Sequence, residues 1–281
     1  MIEQLLDLLP EEHAGQIRNM KPEGLEEIRA GAGQPMLLRA AGKETALWPR
    51  IRQEQLEELL RRACRQSVYA HHETLRQGYM TLEGGHRIGV CGFGVMQDGT
   101  IHTLRTPSSV LIRIAREHPG CADRLLPAVT GSTLILGPPG SGKTTMLRDL
   151  VRQLSDSCHK RVGLADERGE VAACVMGVPQ LQVGRRTDVL VNIPKADAVL
   201  MLLRCMNPQW IAVDEITAAE DVRALERAAY CGVRLLATAH GDTAEDLKRR
   251  PVYRQLMETG VFRTVVILRA DKSAYILEEQ P

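Results

Sequence analysis

The stretch Gly137-Pro138-Pro139-Gly140-Ser141-Gly142-Lys143-Thr144 constrains this chain more than any other. It fits the pattern G-x-x-x-x-G-K-[ST] without a mismatch. The setting fits as well: Ser132-Thr133-Leu134-Ile135-Leu136 reads as a buried strand before it, and Thr145-Met146-Leu147-Arg148-Asp149-Leu150-Val151 as a helix after it. Glycines let the backbone curl so that successive N–H groups converge on phosphate oxygens, and the following helix adds the positive end of its dipole. In this arrangement a lysine at 143 reaches β- and γ-phosphates and the Thr144 hydroxyl reaches Mg²⁺. The residues expected to hold ATP are Gly137, Pro138, Pro139, Gly140, Ser141, Gly142, Lys143, Thr144 and Thr145.

Composition narrows the partners. With 36 basic and 35 acidic residues the net charge is +1, so bulk electrostatics favour no polyanion. Aromatic residues make up only 3% of the chain, which argues against a base-stacking platform for single-stranded nucleic acid. The 7 cysteines are dispersed, with no C-x-x-C pair, which points to reduced thiols in a cytosolic protein and away from a disulfide frame or zinc site. The segment Met1-Ile2-Glu3-Gln4-Leu5-Leu6-Asp7 carries acids inside its apolar run and lacks a basic leader, so it does not read as a secretory signal. No apolar run approaches membrane-spanning length. The chain is expected not to be transmembrane itself, and work at a membrane would go through partners.

A length of 281 residues suggests two domains. The expected division is a smaller α+β domain over 1–122 and a phosphate-loop ATPase domain over 123–281. In the first, residues 1–29 read as amphipathic helix around Leu5, Leu6, Leu8, Leu9, Ile17, Leu25 and Ile28, broken at Pro10 and at Lys21-Pro22-Glu23-Gly24. Met36–Ala40 reads as a strand and 51–63 as a helix. Residues 78–90 read as a hairpin turning at Glu83-Gly84-Gly85, Thr106–Ser109 as a break, and 110–115 as a further strand. From Ser132 onward strands and helices alternate. Strands are expected over 132–136, 161–166, 210–214, 233–238 and 263–269, with helices over 143–155, 196–206, 218–231 and 243–250. That alternation predicts an α/β fold, a RecA-like core with a parallel sheet covered on both faces. Ligands in such sheets bind beyond the carboxyl ends of the strands.

The chemistry-bearing residues fall at those ends. Trp210-Ile211-Ala212-Val213-Asp214-Glu215 is an apolar strand ending in two carboxylates. Asp214 is placed to hold Mg²⁺ with Thr144, and Glu215 to act as general base for water. Leu235-Leu236-Ala237-Thr238-Ala239-His240 puts Thr238 and His240 beside the γ-phosphate position. Asp166-Glu167-Arg168-Gly169-Glu170 ends another strand, with Asp166, Glu167 and Glu170 as candidates to order water or metal. A positive group delivered to the γ-phosphate would stabilise its charge. Arg185, Arg186 and Arg204 are candidates in the core, and Arg87, Arg105 and Arg113 in the first half. The expected catalytic set is Glu215, His240 and Lys143.

Asp166-Glu167-Arg168, Gly184-Arg185-Arg186-Thr187-Asp188-Val189-Leu190, Pro194-Lys195-Ala196, Leu203-Arg204-Cys205-Met206-Asn207-Pro208, Val213-Asp214-Glu215-Ile216 and Ala237-Thr238-Ala239-His240-Gly241 occur in this order. With the phosphate loop and the upstream Gly85–Gly92 and Ile112-Arg113-Ile114-Ala115, they resemble the stage III sporulation protein AA family. That family is related to hexameric ATPases of type II and type IV secretion. The resemblance implies a cytoplasmic ATPase of endospore formers, acting as a homo-oligomeric, hexameric ring on membrane proteins of a channel complex between mother cell and forespore. It also implies that Asp166-Glu167 falls at an aspartate box and His240 at a histidine box. Two positions depart from the pattern: Thr217 stands where glycine is expected, and Asn192 where an acid is common. The alternative reading is a RecA-like ATPase acting on nucleic acid. Its basic clusters would be Arg61-Arg62 with Arg65, and Lys248-Arg249-Arg250.

Overall fold

The computed structural model describes residues 2–64, 78–241, 243 and 249–271, and the course of the backbone over 275–279. The chain forms two compact units, one of Met1–Arg116 with Val175–Gln180, the other of Glu117–Cys174 with Leu181–Pro281.

The first unit opens with helices α1 (Ile2–Leu6) and α2 (Glu11–Met20). Strands β1 (Leu25–Gly31), β2 (Met36–Ala40) and β3 (Lys43–Leu47) follow, then α3 (Gln53–Ala63), β4 (Tyr79–Thr81), β5 (Arg87–Gln97) and β6 (Thr100–Arg113). The six strands make an antiparallel sheet in the order β3-β2-β1-β6-β5-β4. One face carries Ile28, Ala30, Met36, Leu38, Ile88, Val90, Val110 and Ile112, and packs with Leu5, Leu6, Ile17, Leu56 and Leu59 of the helices. The hairpin expected over 78–90 is present, closing through a single turn at Glu83–Gly85.

Two expectations are corrected here. Leu25–Gly31 is a strand and not helix, because its pairing with β2 shifts register between Leu25 and Glu27. The bulge gives the buried residues Leu25 and Ile28 a spacing of three, which imitates a helix. Thr106–Ser109 does not interrupt the chain of pairing; β6 runs through it by way of register shifts opposite Cys91, Gly92 and Phe93. Gly92 allows this crossing, since a Cβ there would lie 2.8 Å from the Arg105 carbonyl oxygen.

In the second unit, β7 (Thr133–Gly137) leads into helix α4 (Lys143–Asp156), followed by β8 (Val162–Asp166), β9 (Thr187–Val191), α5 (Lys195–Cys205) and β10 (Trp210–Val213). Then come α6 (Ala219–Tyr230), β11 (Arg234–His240), α7 (Pro251–Glu258), β12 (Thr264–Leu268) and β13 (Tyr275–Glu279). The seven strands lie in the order β13-β12-β7-β11-β10-β8-β9. All pairs are parallel except β12 with β13. Alternate residues feed two cores. Ile135, Leu164, Ala212 and Leu236 pack with Leu147, Leu150 and Leu154 of α4. Leu134, Leu136, Ile211, Val213 and Leu235 pack with α5, α6 and α7. Strands buried on both faces are why these segments are continuously apolar. β9, β13 and α7 add elements to those expected from the sequence; the helix expected over 243–250 lies largely outside the described residues.

Candidate nucleotide site

Gly137 ends β7 at a crowded position, where a Cβ would stand 2.6 Å from Ser141 Oγ and 2.8 Å from the Leu268 carbonyl oxygen. Gly140 and Gly142 adopt φ +76° and +93°, the left-handed conformations that curl the loop before α4 begins. Pro138 and Pro139 span the segment between Gly137 and Gly140. Ser141 Oγ is buried with no partner among the described residues. An orphaned hydroxyl in a loop of inward-curled backbone fits a phosphate group that would supply the acceptor. Thr145, one turn into α4, lines a cleft with His118 and Arg148.

The polar groups from three strand ends meet beside this loop. Parallel pairing sets His240 of β11 opposite Gly137 of β7. The Lys143 ammonium, itself buried, donates to the carbonyl oxygens of Gly137 and Pro138, both at 2.9 Å, and lies 3.1 Å from His240 Nδ1. Lysine has no acceptor, so Nδ1 must be the accepting nitrogen and the ring proton is assigned to Nε2. That nitrogen faces Glu215 Oε1 at 3.0 Å. The second oxygen of Glu215 accepts from Arg168 Nη1 at 2.7 Å.

A second chain of contacts starts at Thr144, whose Oγ1 donates to Asp214 Oδ2 at 2.9 Å. Thr238 Oγ1 donates to Asp214 Oδ1 at 2.6 Å and accepts the Glu215 backbone N–H at 2.7 Å. Burial pushes the Asp214 carboxyl above the ordinary aspartate range, the two threonine hydroxyls pull it back, and the Glu170 and Glu215 charges push further upward. Thr144 and Asp214 suit Mg²⁺, which takes one or two protein oxygens and leaves its other positions to phosphate and water. Among the described residues no group of three or more His, Cys, Asp or Glu side chains could hold a metal by itself.

Asp166 stands differently from the expected water- or metal-ordering role. It is buried, and its carboxylate accepts the N–H groups of Glu170, Val171 and Ala172 at 2.8–3.2 Å. Those contacts fold the loop that follows β8. Burial raises its carboxyl despite the amide donors. Glu167 pairs with the buried Lys195. Arg148, absent from the arginines singled out in the sequence, braces the same loop from α4 by donating to the carbonyl oxygens of Val171 at 2.5 Å and Glu170 at 2.7 Å. Nothing in local spacing marks Arg148 or Lys195, because their partners lie more than twenty residues away.

The candidate arginines are dispersed. The Arg185 and Arg186 backbones are held by Asp156 and Ser155, and Arg204 is exposed on α5. In the first unit Arg87 stacks on Tyr79 at 3.7 Å, Arg113 lies 3.8 Å from Glu27, and Arg105 is exposed on β6. Arg61 and Arg62 both pair with Glu58, while Arg65 and Lys248 lie outside the described residues. The two departures have local reasons. Asn192 sits at φ +57°, which an asparagine tolerates, and the Thr217 N–H is capped by Asp221 at 3.1 Å.

A seven-stranded sheet with a phosphate loop after β7, an acidic pair after β10 and a histidine ending β11 defines a RecA-like P-loop NTPase core, here with an N-terminal antiparallel-sheet unit. The chain belongs to the family described as Sporulation stage III, protein AA, whose profile matches residues 4–277. It is 38% identical over 271 residues to Stage III sporulation protein AA of Bacillus subtilis (strain 168), a match covering 92% of this chain and 88% of that one. Among solved structures, the ATPase DotB of Legionella pneumophila superposes with a TM-score of 0.58 at 18% identity, covering 90% of this chain and 75% of that one. The pilus retraction motor PilT, solved with bound ADP, gives 0.62 at 19%, covering 95% and 82%. At those identities the likeness is one of fold. No helix among the described residues is long and apolar enough to cross a membrane.

Proposed function

We propose that this chain is a Mg²⁺-dependent ATPase that powers a channel complex during sporulation. The observation that carries this reading is the convergence of two hydrogen-bond chains on one acidic pair: Lys143–His240–Glu215 and Thr144–Asp214–Thr238–Glu215. The backbone N–H groups of 137–144, the Ser141 hydroxyl and the Lys143 ammonium bind the β- and γ-phosphates of ATP. To do so, Lys143 exchanges the Gly137 and Pro138 carbonyls for phosphate oxygens. Thr144 and Asp214 would hold Mg²⁺, which would supply neutralising positive charge to the bound triphosphate. Glu215 accepts the proton of the attacking water as its oxygen bonds to the γ-phosphorus and the bond to the β-phosphate oxygen breaks. His240 joins the lysine to the base and can report whether the γ-phosphate is present.

The Bacillus subtilis relative carries the sporulation name, and PilT is described as a motor, which supports mechanical output. On this reading the chain works as a cytoplasmic ring, a hexamer, recruited through membrane proteins between mother cell and forespore. At least one of Arg87, Arg105, Arg113, Arg185, Arg186 and Arg204 serves the neighbouring copy's nucleotide.

Glu215→Gln keeps the shape and removes the base. The variant should bind ATP with wild-type affinity and turn it over about 10²–10⁴-fold more slowly. Undiminished turnover would reassign the base. In the same assay single-stranded DNA or RNA should leave the rate unchanged, and stimulation that disappears at raised salt would redirect the reading to nucleic acid.

A further inference from the structure

Arg168 lies in the loop that Asp166 pins, and its guanidinium reaches across to the end of β10 to bond Glu215 Oε2 at 2.7 Å. The other oxygen of that carboxylate faces His240. Glu215 is therefore held at both oxygens. Its backbone sits at φ +54°, a conformation that a glutamate keeps only where its neighbours enforce it. Lys143 completes the pattern by spending donors on two loop carbonyls and on His240 Nδ1. The groups expected to bind phosphate and activate water satisfy one another instead.

We propose that Arg168 is a latch on Glu215, a positioning residue that keeps the base at rest and lets go when the site turns over. The proposal rests on the assignment of Glu215 above. Of the two partners of the carboxylate, Arg168 is the one built to release. Its side chain is 55% exposed, so water can replace Glu215 at little cost. It follows the strand end in a turn closed by the Gly169 N–H on the Asp166 carbonyl, with Gly169 at φ +63°. His240 is instead fixed in register against Gly137 and engaged at both ring nitrogens. A guanidinium on Oε2 also occupies an acceptor site that a water molecule would need.

The test is steady-state turnover of the full chain with Mg-ATP, alongside binding of a fluorescent ATP analogue. Arg168→Ala should raise kcat about two- to fivefold, the range an exposed ion pair can contribute, with KM and analogue affinity unchanged. Arg168→Lys, which keeps the charge and loses the fork, should fall between the variant and wild type. The gain should vanish when Arg168→Ala is combined with Glu215→Gln. A kcat at or below wild type in Arg168→Ala overturns the latch, as does a rise accompanied by an equal change in KM. If Glu215→Gln alone turns over at the wild-type rate, the base assignment has failed separately.

Discussion

The two sheets of this chain bury different kinds of residue. The antiparallel sheet of the first unit packs one face, and among the described residues the buried side chains of that unit are apolar apart from His13 and His86. The parallel sheet of the second unit is covered on both faces, yet every buried lysine and aspartate among the described residues belongs to it: Lys143, Asp149, Asp166, Lys195 and Asp221. Burying a charge is costly unless hydrogen bonds or an opposite charge compensate it; each of these five is hydrogen-bonded, Asp149 to Arg152 and Lys195 to Glu167 as ion pairs. A fold tolerates that expense where chemistry demands it. Four of the five lie in the phosphate loop, the helix it opens, or the β8 loop and its Lys195 partner. The first unit's described core is apolar, whereas the second buries charges that backbone groups and two ion pairs hold in place.

Substitution should separate the two. The largest effect is expected at Lys143. Lys143→Ala removes an ammonium directed at the phosphate loop, and loss of a single preorganised donor of this kind lowers turnover about 10²–10³-fold. ATP affinity should fall with it, read by calorimetry in Mg²⁺. Unaltered affinity would break the comparison at its centre, because the buried charge would then serve packing alone. The counterpart is Ile28→Ala. Ile28 is 1% exposed and paired between Leu38 and Ile112 in the middle of the antiparallel sheet. The truncation should cost about 3 kcal/mol of stability, seen in denaturant unfolding. ATP affinity should stay within about twofold, since Ile28 packs in the first unit's own hydrophobic core. A matching loss of nucleotide binding would show that the scaffold sets the geometry of the site.

The same contrast explains what could be read before any coordinates. The strands β7, β8, β10, β11 and β12 are largely apolar runs, the first four punctuated by Gly, Asp or His at their carboxyl ends, so local pattern and final structure agree. In the first unit the bulge at Leu25 disguised a strand as a helix, and the register shifts near Gly92 disguised one long strand as two pieces. β9 escaped because it is an edge strand, half-buried throughout and opening with Thr187-Asp188. α7 opens with Pro251 in its first turn, a start signal that the basic segment before it obscures. The same limit applied within the site. Thr144, Asp214, Glu215 and His240 announce themselves at strand and helix ends, whereas Arg148 and Arg168 acquire meaning only through partners brought close by the sheet.

The smallest effect, and the finest probe of the buried charges, concerns Asp149. It is 4% exposed on α4 and accepts the Ala122 N–H and Gln153 Nε2, both at 2.8 Å, together with Arg152 Nε at 2.8 Å and Nη2 at 2.6 Å. Burial alone would raise its carboxyl. The Ala122 N–H, Arg152, the Gly120 N–H and Gln153 together outweigh burial and hold it below the ordinary value of 3.8. An acid whose folded-state value is depressed binds its proton more readily when unfolded. Its contribution to stability is therefore present above the unfolded value and disappears as pH falls through the lower folded one. Asp149→Asn should accordingly cost about 1.5 kcal/mol at neutral pH, the lower end of what hydrogen bonds to a charged group contribute. The gap between wild type and variant in denaturant unfolding should close below the ordinary aspartate value. A gap that persists undiminished in acid would mean that the shape of the side chain, and not its charge, ties the Gly120–Ala122 segment to the helix of the phosphate loop.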